Sequence, residues 1–328
     1  MSKALIKIPE LHNNDYDFME VLNGLANVKI KSNTRQSFLT QENINIHNKD
    51  CLEFLKTIPS NIVDFVLTDP PYFLDKLDNN WDDALIQQST KKSKTIGGLP
   101  VGMKFDKQQG KNLQEFFYKV SLELIRVLKP GGFMVAFSQG RLIHRLAVAS
   151  EDAGFEIRDL FAWQHGGGQG KAFTQDHFVK KMNIEDSEKK FIISKLAKRK
   201  TPQLRPEFEP MILAQKPKEG THIDNWLKYE TGLVKIDFDN ENYQQTTIFK
   251  YEKPHKNKAF EHMTIKPLNM FQKLIEIFTV ENQIVLDPFL GSGTCADAAL
   301  MQNRKIYGSE IEVKYFDNIL KRINNYIK

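Results

Sequence analysis

Apolar and polar positions along the chain fall into blocks that predict a regular succession of strands and helices. Ile62-Val63-Asp64-Phe65-Val66-Leu67 is a short apolar run with three β-branched residues, which predicts a buried strand ending at Thr68. From Phe116 to Leu128 the residues Phe117, Val120, Leu124, Val127 and Leu128 recur at helical spacing, and Lys129-Pro130-Gly131-Gly132 stops that helix. Phe133 to Phe137 reads as a second buried strand. Leu142 to Ala153 reads as a helix stopped by Gly154, and Phe155 to Trp163 as a third strand. Strands alternating with helices predict an α/β fold with a mostly parallel sheet.

The rhythm breaks at Gln164. His165 to about Lys258 is polar, basic and irregular, with Pro210-Met211-Ile212-Leu213-Ala214 inside it as one more core strand. It resumes at His262. Leu268 to Phe278 reads as a helix, Ile284 to Leu286 as a strand, Thr294 to Gln302 as a helix, Lys305 to Glu310 as a strand and Val313 to Ile327 as a final helix. Near the front, Phe54-Leu55-Lys56-Thr57-Ile58-Pro59 reads as a short helix ending before the proline, and Met1 to Asn45 carries no clear motif. Phe73 to Asn112 is polar and too long for an ordinary connection, so it is a functional lid or partly disordered. Three parts follow: residues 1–163, an insertion over 164–258 with a core strand near 208–214, and 259–328.

Composition changes this picture little. A chain of 328 residues with 41% hydrophobic and 27% charged residues can bury a full core. No apolar run approaches the roughly 18 residues of a membrane helix. Met1 to Asn14 lacks the apolar stretch of a signal peptide, so a cytoplasmic protein is expected. Cys51 and Cys295 form neither a disulfide framework nor a CxxC pair. His165, His177, His255 and His262 lack metal-ligand spacing, and no metal is expected. Gly166 to Ala172 fails as a phosphate loop, because His165 replaces its first glycine and Ala172 its Ser/Thr. Charge is more telling. Between Lys180 and Lys218, 11 Lys/Arg face 5 acids, a local +6 on a chain whose net charge is +5. Such a block predicts a polyanionic partner, with Lys198, Arg199, Lys200 and Arg205 as candidate phosphate clamps.

Two loops carry the candidate chemistry, each following a predicted strand. Asp287-Pro288-Phe289-Leu290-Gly291-Ser292-Gly293-Thr294 offers glycines that permit close backbone approach, then the free N–H groups of a helix start. Glu310 ends the next strand and can accept both hydroxyls of a ribose. This pattern binds nucleosides in general, NAD and S-adenosylmethionine alike. An acid at Asp287 would repel a pyrophosphate and welcome the α-ammonium of a methionine moiety, which favours S-adenosylmethionine. In Asp69-Pro70-Pro71-Tyr72 the two prolines stiffen the backbone and remove N–H donors. The Asp69 carboxylate and the Pro70 carbonyl can grip the two hydrogens of an exocyclic amine, and Tyr72 can stack on a base. Accepting those hydrogen bonds pushes the nitrogen lone pair toward an incoming methyl, so placement does most of the work. A duplex base reaches such a pocket only when flipped out.

The chain resembles the amino-directed, S-adenosylmethionine-dependent DNA methyltransferases, most closely the permuted (β) class, in which the catalytic motif precedes the cofactor motif. Four places carry the resemblance: Asp50-Cys51, Thr68 to Tyr72, Lys129 to Gly132, and Asp287 to Thr294 with Glu310. His262-Met263-Thr264-Ile265-Lys266-Pro267 resembles a further family segment through Thr264, Lys266 and Pro267 and departs from it at Met263 and Ile265. The resemblance implies a Rossmann-like methyltransferase fold with a basic target-recognition insertion. It implies that Asp69, Pro70, Pro71 and Tyr72 bind the target amine. It also implies cofactor contacts from Asp50, Cys51, Asp69, Thr264, Lys266, Pro267, Asp287, Phe289, Gly291, Ser292, Gly293, Thr294 and Glu310. Double-stranded DNA is the implied substrate, in a bacterium or phage. A second copy of the chain and a restriction endonuclease acting on the same site are the implied protein partners. In this family Asp at the first motif position is typical of adenine-N6 enzymes and Ser of cytosine-N4 enzymes, so Asp69 favours adenine. The rival readings are cytosine-N4 transfer, methylation of RNA or of a protein glutamine, and a DNA-binding subunit without catalysis.

Overall fold

The computed structural model describes residues 38–71, 107–166, 172–202, 204–236, 238–239, 242–243, 245–254 and 265–327. Its strands are β1 (Phe38–Gln41), β2 (Ile44–His47), β3 (Val63–Thr68), β4 (Leu128–Phe137), β5 (Glu156–Gln164), β6 (Phe208–Gln215), β7 (Phe238–Asp239), β8 (Asn242–Tyr243), β9 (Ile248–Lys250), β10 (Ile284–Asp287) and β11 (Lys305–Ser309). The helices are α1 (Cys51–Leu55), α2 (Lys107–Val127), α3 (Ile143–Asp152), α4 (Asp176–Lys180), α5 (Asp186–Leu196), α6 (His222–Tyr229), α7 (Leu268–Phe278), α8 (Thr294–Met301) and α9 (Val313–Ile323). Nine strands form one sheet in the order β1-β2-β11-β10-β3-β4-β6-β5-β9, and β7 with β8 make a separate hairpin. Only β1 and β6 run against the others in the large sheet, so it is mostly parallel.

Period-two alternation sends side chains to opposite faces of the sheet. Phe65, Leu67, Phe133, Val135, Phe137, Met211, Leu213 and Val285 pack with α7, α8 and α9. Val66, Met134, Ala136, Ile212, Ala214 and Leu286 pack with α1, α2 and α3. Both layers are apolar, and this explains why the central strands read as continuous apolar runs.

Several sequence expectations are corrected. The first strands, β1 and β2, lie where no motif was expected; each is only four residues long, too short for a clear pattern. Helix α2 starts at Lys107, well before Phe116, because Leu113 is fully buried and draws the polar first turns onto the core. Helix α2 ends at Val127, just before Lys129-Pro130-Gly131-Gly132, as expected, but that stretch lies inside β4: Leu128 pairs with Val63 and Phe133 with Phe65, so four residues stand opposite Asp64. Gly131 has φ +76°, and a Cβ there would stand 2.4 Å from Asn225 Nδ2. Asn225, in α6, donates from that nitrogen to the Pro130 carbonyl (3.1 Å) and the Thr231 carbonyl (2.9 Å). Besides the expected core strand, which is β6, the stretch read as irregular supplies α6 and β9 to the main body. β6 is wedged antiparallel between β4 and β5.

Chain order sets the site. β3 leads through α2 to β4 on one side, and β10 leads through α8 to β11 on the other. The connections diverge between β10 and β3, which is where open α/β sheets leave a crevice beyond the carboxyl ends of their strands.

Candidate active site

Thr68 and Asp287 are the last residues of the adjacent strands β3 and β10. Thr68 Oγ1 donates to Asp287 Oδ1 at 2.8 Å, and the Phe289 N–H donates to the same oxygen at 3.0 Å. One hydrogen-bond set thus joins the strand carrying Asp69-Pro70-Pro71 to the loop carrying Phe289 and the glycines. Asp287 is 3% exposed. Burial, opposed by these hydrogen bonds, pushes its carboxyl up to about 7.

The glycine loop is shaped by backbone constraints. Gly291 (φ +51°) and Gly293 (φ +76°) occupy left-handed backbone, and Gly293 caps α8. Gly291 N–H donates to Glu310 Oε2 at 2.8 Å, and Glu312 N–H to Glu310 Oε1 at 2.9 Å. Burial raises the Glu310 carboxyl to about 7. Gly308 in β11 permits the close approach, because a Cβ there would stand 2.7 Å from both the Asp287 carbonyl and Leu290. Ser292 and Thr294 turn inward. Their hydroxyls lie 3.0 Å apart, and Arg322 of α9 donates to the Ser292 carbonyl (3.1 Å) and to Thr294 Oγ1 (3.0 Å). Arg322 is tied in turn to Asp297 at 2.9 Å. Phe289 is half-buried, its ring centroid 6.0 Å from that of Phe116.

Asn48 brings the segment before α1 to this loop, donating to the Glu310 carbonyl at 2.7 Å and the Ile311 carbonyl at 3.0 Å. Asp50 caps α1, accepting from the Leu52 and Glu53 N–H groups at 2.9 and 3.2 Å. Cys51 is buried, and burial first, then the Asp50 charge, pushes its thiol up to about 12, which makes it a packing residue rather than a nucleophile.

On the other side of the crevice, Lys266 Nζ donates to Asp69 Oδ2 at 2.6 Å and to Glu209 Oε1 at 2.9 Å, and sits 4.9 Å from the centre of the Phe137 ring. Pro70 is buried and Pro71 half-buried. Pro267 stands at the start of α7. Tyr72 and Thr264 lie outside the described residues, as do His255, His262 and most of the long stretch expected as a lid. Lys198, Arg199, Lys200 and Arg205 are exposed beyond α5, where Arg205 pairs with Glu207. Among the described residues no group of acids, histidines and cysteines could hold a metal ion. No described helix is long and apolar enough to cross a membrane.

Sequence reasoning missed Asn48 and Arg322 as parts of the site, and gave no role to Thr68 and Glu209 although both lie in recognised segments. Their positions at strand ends on the same edge are the signal that points to them. Arg322 carries none, because its role depends on how α9 packs behind the loop.

A family model described as DNA methylase, for the N6 and N4 group, matches residues 63–322. The chain belongs to this DNA methylase family. The type II methyltransferase M.HindIII of Haemophilus influenzae is 31% identical over 284 residues, spanning 81% of this chain and 90% of the relative. M.BglII of Bacillus subtilis is 26% identical over 302 residues, 89% of this chain and 72% of the relative. Among solved structures, the cytosine-N4-specific PvuII DNA methyltransferase has TM-score 0.55 at 15% identity, covering 88% of this chain and 91% of that one. The M1.HpyAVI–SAM complex has TM-score 0.50 at 21% identity, covering 86% and 99%. The protein is thus an S-adenosylmethionine-dependent DNA methyltransferase with the expected α/β fold.

The chemistry of the donor set suits that cofactor. Asp287 and Glu310 are buried carboxyls lifted toward neutrality, and the hydrogen bonds that reach them come from neutral groups. A ligand bringing an ammonium group and ribose hydroxyls would satisfy both.

Proposed function

We propose that this methyltransferase is of the permuted (β) class and methylates the exocyclic N6 of a flipped adenine in duplex DNA by direct in-line transfer. The observation that carries this reading is the Thr68–Asp287 hydrogen bond, which ties the strand leading into Asp69-Pro70-Pro71 to the strand leading into Phe289 to Thr294. Asp287, Phe289, Gly291 and Gly293 would hold the methionine part of the cofactor, Glu310 its ribose, and Asp50 and Cys51 would border its adenine. When bound, the cofactor supplies an electrophilic methyl group.

The chain's own groups do the rest. The Asp69 carboxylate and the Pro70 carbonyl accept from the two amine hydrogens, so the nitrogen lone pair turns away from the ring. Both acceptors sit on stiff backbone, so little reorganisation accompanies transfer. Tyr72 stacks on the flipped base. Phe289, held between the cofactor loop and Phe116, helps to exclude water. Lys198, Arg199, Lys200 and Arg205 contact DNA phosphates from the recognition insertion over 164–258. A restriction endonuclease acting on the same site and a second copy of the chain are the protein partners in this reading. Asp69 in the first motif position supports adenine over cytosine. The test is methyl-labelled S-adenosylmethionine with duplex DNA from a methylation-free host, followed by nucleoside analysis. Label in N6-methyladenine is expected; label in N4-methylcytosine would overturn the choice of base.

A further inference from the structure

Lys266 is expected from family resemblance to border the cofactor, yet its ammonium points at Asp69 and Glu209. It is 5% exposed. It precedes Pro267 and α7, whose apolar side packs into the core. Among the described residues three charges meet there on three separate elements: Asp69 after β3, Glu209 on β6 and Lys266 before α7. β6 runs antiparallel to β4, which is why Glu209, near its start, arrives at the carboxyl edge of the sheet. Burial alone would lower the Lys266 pKa; the Asp69 and Glu209 charges outweigh it and raise it. The ammonium therefore stays charged.

We propose that Lys266 and Glu209 are positioning residues that act through Asp69. Lys266 fixes the Asp69 carboxylate in one orientation beside the buried Asp287. Glu209 gives the trio a net charge of −1. A lone Lys–Asp pair would be neutral and a weaker acceptor for an amine that gains positive charge as it bonds to the methyl. This rests on the methyl-transfer reading above, and its test separates the two failures.

The test uses full-length protein, duplex DNA from a methylation-free host and methyl-labelled S-adenosylmethionine, read as single-turnover transfer. Donor affinity is measured separately by calorimetry. Wild type that transfers no label to DNA refutes the functional reading itself. With active wild type, Lys266→Met is expected to slow transfer about a hundredfold, with donor affinity held within about twofold. Glu209→Gln should slow it about tenfold. The double variant should be about tenfold faster than Lys266→Met alone, because removing Glu209 relieves the repulsion that the lost ammonium left on Asp69. A purely packing role predicts losses that multiply, and a cofactor contact predicts lost donor affinity with a normal saturated rate; either result overturns the proposal. Should Lys266→Met fail to fold, Glu209→Gln decides: an unchanged transfer rate refutes the role, and slower transfer at unchanged donor affinity supports it.

Discussion

Replacing Asp287 with Asn should stabilise the ligand-free enzyme at alkaline pH while weakening its grip on the methyl donor. Burial lifts the Asp287 carboxyl from 3.8 to about 7. A folded-state pKa above the unfolded value means that the native state binds a proton more tightly than the unfolded chain. Stability then falls as pH climbs from about 4 through about 7, and the loss is complete above that. A gap of about three pKa units corresponds to ~4 kcal/mol at pH 8. The substituted amide would keep an oxygen that accepts from Thr68 and Phe289, at a cost of ~1–2 kcal/mol for its added N–H donors. The net gain at pH 8 is ~2 kcal/mol, or roughly 3 °C in Tm for a chain of this length. At pH 5 the native carboxyl is already protonated and the gain should vanish. Thermal unfolding by circular dichroism between pH 5 and 8, with and without S-adenosylmethionine, measures both sides. The donor should raise the Tm of wild type much more than that of the variant. A variant less stable than wild type at pH 8, or one with an unchanged slope of Tm against pH, would refute the reasoning.

Two other outcomes follow from the same geometry. Gly308→Ala puts a Cβ against the Asp287 carbonyl and Leu290, so urea unfolding should show ~2–3 kcal/mol of destabilisation and calorimetry a weaker donor complex; an unmoved midpoint would contradict the packing. Changing Lys198, Arg199 and Lys200 together to Ala should flatten the salt dependence of DNA binding by about two to three in log–log slope, and an unchanged slope would remove the phosphate clamp.

Much of the fold was legible because its central strands are buried on both faces. β10 and the core of β6 show as unbroken apolar runs, β3 as a run interrupted at Asp64, and α7 matches its expected bounds, Leu268 to Phe278. The edges were not legible. β1 and β2 are too short to show a period. Lys129-Pro130-Gly131-Gly132 marks the end of α2, but that it also belongs to β4 depends on distant partners such as Asn225. The candidate site shows the same division. Asp69, Asp287, Gly291, Gly293 and Glu310 stand out from residue type and position after a strand. The inward turn of Ser292 and Thr294 depends on Arg322, 28 residues beyond Thr294. The pairing of Lys266 with Asp69 spans 197 residues, a distance that local pattern cannot cross.

In the proposed reaction Asp69 receives the target amine opposite a separately built cofactor loop. Single-turnover transfer and donor affinity, measured side by side for wild type and Asp69→Ala, test it most directly. Transfer to DNA should disappear while S-adenosylmethionine binds nearly as well as before. Surviving transfer, or a loss of donor binding large enough to explain the lost activity, would contradict it.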